Sequence, residues 1–117
     1  MSVFGKIKTA MTPFSKIVTE SFYEGPADDY ILYDIVDDRG ADYGDGRPNT
    51  TIVSVMVHHY MPLNKNYLDF KKRERAALFK AGFTYPSVDV ITDRKEGYRH
   101  LVYECEIEDE DEVENLE

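Results

Sequence analysis

A single cysteine, Cys105, is all the thiol chemistry this 117-residue chain has. It rules out an intramolecular disulfide and suits a reducing compartment. No apolar run approaches the roughly 20 residues a membrane helix needs. Met1 to Thr12 carries Lys6 and Lys8 but lacks the continuous apolar stretch of a secretory leader. The expectation is a soluble intracellular product with no membrane contact. Also lacking are a Gly-rich phosphate loop, a G-x-S-x-G elbow and paired carboxylates in a recognisable frame. Enzymatic activity and a cofactor therefore have no support in the sequence.

Charge is unevenly placed along the chain. The net charge is −9, yet Met1 to Tyr103 holds fourteen acids against fourteen Lys and Arg. From Glu104 onward there are nine acids and no base, so the imbalance lies wholly at the C-terminal end. Like charges in a run repel and stay solvated. Residues 1–107 read as one domain, and Glu108 to Glu117 as an acidic tail. An apolar content of 42% with 13% aromatics is enough for one modest core.

Periodicity fixes the expected elements. "VFGKIKTAM" and "TPFSKIVTESFY" read as two pieces of an N-terminal helix, the second with Thr12 as N-cap and Pro13 at the first helical position. "YILYDIVD" is a strand with apolar side chains on both faces. "IVSVMVHHYM" alternates, with Val53, Val55 and Val57 on one face and Ser54, Met56, His58 and Tyr60 on the other. "NKNYLDFKKRERAALFKAGF" is a second helix, opened by an Asn66/Asp69 capping arrangement and closed at Gly82. "SVDVIT" and "YRHLVYECEI" form a closing hairpin with Gly97 in its turn. The expected fold is α+β, in the order α-β-β-α-β-β: a four-stranded, mainly antiparallel sheet with both helices on one face and a long tip on the first hairpin.

That tip, "DDRGADYGDGRPNTT", invites a metal reading that its spacing refuses. Asp38, Asp42 and Asp45 do not alternate as a calcium loop requires, and no Glu closes it; Gly40, Gly44 and Gly46 suit turns. His58 and His59 are strand neighbours pointing to opposite faces, so they cannot share an ion, and His100 belongs to another strand. Both read as polar-face or interface histidines. Cys105 falls on the core face as a small hydrophobe. "KKRER", Lys71 to Arg75, spreads around more than one helical turn and reads as solvated surface. The remaining oddity is the first hairpin, apolar on both faces in a domain with helices on one side. An exposed apolar strand face marks a protein interface.

The helix "FSKIVTESF", the hairpin "YILYDIVD…IVSVMVHHYM", the helix "YLDFKKRERAALFKAGF" and the hairpin "SVDVIT…YRHLVYECEIE" together resemble the small tail-completion proteins of long-tailed bacteriophages, in particular the tail terminators of the neck. The resemblance implies one sheet flanked by helices and a homo-oligomeric ring, a hexamer, located in the virion neck after assembly in the host cytoplasm. Such a ring caps the tail tube protein and presents a surface to the head-side connector protein. It also implies that the first hairpin is an inter-subunit arm, with Tyr30, Leu32, Tyr33, Asp38, Asp42, Tyr43, Arg47, Met56, His58 and Tyr60 at the interface. Glu104, Glu106 and Glu108 would face a lumen through which DNA slides without specific binding. No catalytic or metal-binding residue is implied. A head-closure or tail-to-head joining protein is the alternative in the same class. An acidic DNA mimic is disfavoured, because the body of the chain is neutral.

Overall fold

A computed structural model describes residues 1–109. Two helices, α1 (Val3–Met11) and α2 (Tyr67–Lys80), pack on one face of a five-stranded sheet. Its strands are β1 (Val18–Glu20), β2 (Tyr30–Gly44), β3 (Arg47–Pro62), β4 (Ser87–Asp93) and β5 (Tyr98–Asp109), in spatial order β1-β2-β3-β5-β4. The α+β class holds. The sheet is mixed, however, because β1 runs parallel to β2 and every other pair is antiparallel.

The additional strand replaces the second half of the expected N-terminal helix. Pro13 has no N–H to continue the helix, so α1 ends at Met11 and Thr12–Phe14 form a short 3-10 turn. The β-branched run Ile17-Val18-Thr19 is then stiff and suits a strand. It docks on β2, with the Ile31 N–H donating to the Ile17 carbonyl at 2.8 Å. Ser21, at φ +67, ends the strand.

The long tip is also corrected. Instead of a loop, β2 and β3 stay paired out to Gly44 and Arg47 and form a two-stranded ribbon. Asp45 and Gly46 close it, both at positive φ (+54° and +75°), the backbone a two-residue type I′ hairpin turn demands. Gly40 and Gly44 are strand residues, not turn residues; at Gly40 a side chain would collide with the Tyr43 hydroxyl and with Pro48. Val36 is the extra residue of a bulge, since Ile35 pairs with Val55 and Asp37 with Ser54. Among the described residues β5 pairs with β3 as far as the Asp109–Thr51 pair, and the β2–β3 ribbon runs on from there to its turn, in a molecule 54 Å long against 25 and 23 Å across. β5 thus carries Glu108 and Asp109, two residues assigned above to the tail; the rest of the tail lies outside the described residues.

One core lies between the helices and the sheet. Ile7 and Met11 of α1, Leu78 of α2, and Ile31, Val55, Val57, Met61, Leu101 and Tyr103 of the sheet are fully buried. The α2 boundaries follow the expected signals: the Asn66 side chain accepts from the Asp69 N–H, and Gly82 adopts φ +109. Leu78 and Leu68 differ sharply in burial on this helix, the first buried and the second 54% exposed. Leu78→Ala is expected to lower stability in urea unfolding by about 3 kcal/mol. Leu68→Ala should stay within about 0.5 kcal/mol of the wild type.

Candidate functional site

Among the described residues no helix covers the second face of the sheet. Cross-strand partners share a face, so Tyr30, Leu32 and Asp34 of β2 lie beside Tyr60, His58 and Met56 of β3, and these beside His100, Val102 and Glu104 of β5. Aromatic rings run across the strands as a row. Tyr23 meets Tyr30 at 4.9 Å between centroids, Tyr30 stacks on Tyr60 at 4.9 Å, and Tyr60 stacks on His100 at 3.9 Å. Tyr98 leans on Tyr60 at 5.8 Å. Tyr23, Tyr30, Tyr60 and Tyr98 line a groove of about 600 Å³ with the exposed Phe22. The rings shield one another, and the row stays half-buried in the isolated chain.

His58 Nδ1 and His100 Nε2 are 2.8 Å apart within this row. One ring must donate and the other accept, so at least one imidazole is neutral. Burial lowers both pKa values, and the His58 neighbour helps bring His100 down to about 4. Asp34 pulls His58 the other way without outweighing burial. The earlier separation of His100 from the histidine pair is corrected: the strand register brings it to His58, whereas His59 points away from both.

His59 is the second surprise, a fully buried core residue and not a polar-face one. Its Nδ1 lies 2.7 Å from Glu74 Oε2 and its Nε2 lies 2.8 Å from Asp29 Oδ1. Ionised carboxylates only accept, so both ring nitrogens donate and the imidazole is a cation. Burial by itself would lower its pKa; the bonds to Asp29 and Glu74 outweigh burial and raise it to about 9. Burial would likewise raise Asp29, but the His59 bond and charge, with Ser15 and Lys65, hold that carboxyl below its ordinary value. The Tyr103 hydroxyl donates to Glu74 Oε1 at 2.9 Å, and burial together with Glu74 pushes this phenol far above its usual range. Among the described residues no buried side-chain polar atom lacks a partner. With both nitrogens bonded and no exposure, His59 has no lone pair to offer a substrate. Its chemistry is that of a clamp joining β3, α2, β5 and the segment before β2.

The interface residues expected above divide accordingly. Tyr30, Leu32, Met56, His58 and Tyr60 lie together on the uncovered face. Tyr33 does not: it is a core residue, edge-on to Phe4 at 5.0 Å. Asp38 pairs with Val53 on the helix side of the ribbon. Asp42, Tyr43 and Arg47 stand near the ribbon end, where Tyr43 is 65% exposed. Glu104, Glu106 and Glu108 share the uncovered face with the tyrosines, and Glu106 accepts from Arg39 at 3.0 Å.

No protein-family model matches the sequence, and no curated protein matches it. Among the described residues no three His, Cys, Asp or Glu side chains are grouped as metal ligands. No helix there is long and apolar enough to cross a membrane. Cys105 is buried on the core face, and burial raises its thiol to about 12. Sequence reasoning missed Glu74, which sits inside "KKRER" but is fully buried. Its signal was spacing, four residues from both Phe70 and Leu78 on the apolar stripe.

The clamp sets a pH dependence whose sign follows from the raised pKa. His59 is ordinarily half-protonated near 6.5 and in the fold near 9, so its stabilisation is complete below the first value and lost as pH rises through the second. Urea unfolding of the wild type from about pH 6 to about pH 10 should show stability falling over that window. His59→Asn should be less stable at the low end and flatter across the range. Parallel profiles for the two proteins would rule out a buried imidazolium.

Proposed function

We propose that this chain is a ring-forming structural protein of a bacteriophage neck, of the tail-terminator kind. Copies of it cap the tail tube, stop its growth and present the joining surface for the head-side connector. DNA passes through the ring without sequence-specific contact, and the ring remains in the virion. The observation that carries the reading is the uncovered sheet face. A sheet with one side sealed by helices and the other lined by Tyr, His, Met and Val has an interaction surface already formed. A single domain of this size gains most from that surface by burying it against another molecule.

Two further features agree with assembly. The β2–β3 ribbon runs on past the last described residue of β5, with exposed Tyr43 near its end, as a reaching arm does. The polar groups of the core are satisfied internally, so the body is a rigid carrier for that face and arm. The family resemblance of the sequence supplies the phage context.

The decisive test is loss of the gene in the phage that encodes it, followed by electron microscopy of lysates. Tails should be overlong and lack a terminal ring. Tails of normal length beside unjoined, filled heads would assign the protein to head closure or joining instead. Purified protein mixed with its tail-tube protein should give closed rings at tube ends.

A further inference from the structure

Charge divides this molecule between its two sides. On α2, Lys71, Lys72, Arg73, Arg75 and Lys80 meet solvent or the surface, while Glu74 is turned into the core and Asp69 is paired with Arg73. The same outer side carries exposed apolar groups. Leu68 is 54% exposed, Phe79 is 59% exposed, and Phe79 lies edge-on to Tyr85, over which the Arg75 guanidinium sits at 4.5 Å. The uncovered sheet face has the opposite charge. Around its aromatic row stand Asp34, Asp89, Glu104 and Glu108, and its Arg39 is already held by Asp37 and Glu106.

The helix side therefore carries cations between an exposed apolar group at each end, and the sheet side carries aromatic rings among carboxylates, so the two are complementary in charge and both offer apolar area. We infer that α2 of one copy docks on the uncovered sheet face of the next, a head-to-tail joint that repeats around the assembly. This rests on the ring reading above and names the surfaces that meet. The physical reason is layer architecture. A sheet apolar on both faces is completed by helices on both, and here the second helix comes from a neighbour. A contact between two different patches is heterologous, so it closes into a ring when the rotation per copy allows. Pairing of like sides sets cations against cations or carboxylates against carboxylates, which favours the polar arrangement. On this reading Glu104 and Glu108 belong to the joint and not to the wall of a channel.

The test uses variants that spoil one side each, all at exposed positions. Lys72→Ser with Phe79→Ser alters the helix side; Asp89→Lys with Glu104→Lys alters the sheet side. Light scattering with the tail-tube protein present should show self-association of either variant at least about tenfold weaker than wild type. Mixed together, the two variants should form a one-to-one pair and nothing larger, since only one joint of the intact kind can form. A carbodiimide, which couples an amine directly to a carboxylate, should link Lys72 to Glu104 or Asp89 between wild-type copies. Rings of undiminished stability from either variant would overturn the inference and leave the ring reading standing. Links from Glu104 to the tail-tube protein in place of a second copy would do the same. A wild-type chain that stays monomeric beside its tube would overturn both.

Discussion

A cation buried between two carboxylates holds this fold in its shape. His59 leaves β3 toward the core, and its two nitrogens reach Glu74 of α2 and Asp29 of the segment before β2. Tyr103 of β5 completes the set through Glu74. Taking such charges out of water costs several kcal/mol per ion, which is offset only when every donor and acceptor is engaged. Here the geometry meets that condition, so the group acts less as a source of stability than as a specification of register. A one-residue slip of β3 would turn His59 to solvent and put His58 among Glu74 and Phe70. The network therefore also fixes which histidine appears on the uncovered face.

That consequence links the core to the surface. Because His59 points inward, His58 and Tyr60 must point outward, and the β3–β5 register sets His100 against them. The tyrosine and histidine row is thus the reverse side of the clamp: one strand with a charged group below and stacked rings above. Rigidity below lets the rings hold a preformed arrangement above, which reduces the ordering that association would otherwise have to overcome.

Much of this architecture was legible, and the parts that were not share a cause. The alternation in β3 and β5, the Asn66 cap and Gly82 of α2, and the turn at Gly97 are local signals that the tertiary structure leaves intact. β1 was unreadable because three residues make a strand only beside β2, while Thr12-Pro13 is a valid helix start taken alone. The ribbon was unreadable because its outer residues, Asp42 to Arg47, meet solvent on both faces, so no alternation marks it there and only the Asp45-Gly46 pair does. Glu74 and His100 were hidden by residue type. A glutamate among four cations and a histidine on a separate strand acquire meaning once helix phase and strand register place them. The uncovered face itself was visible in advance, because two-sided apolar character belongs to the sequence.

The sheet edges bear on how the uncovered face is used. β4 is a bare edge with Val90 and Ile91 exposed, a geometry that invites strand addition and filaments. At the other edge, β1 covers only Val18–Glu20 opposite Ile31–Tyr33, and the Val36 bulge breaks the line just beyond it. Pairing the two edges would also set Asp89 and Asp93 near Asp34, Asp37 and Asp38, where Arg39 is already held by Asp37 and Glu106. Extension of the sheet through its edges is thus opposed by charge and by the bulge, while contact through its faces is favoured by both apolar area and charge. In the assembly proposed above, these properties favour stacking of layers in one direction over lengthening of the sheet.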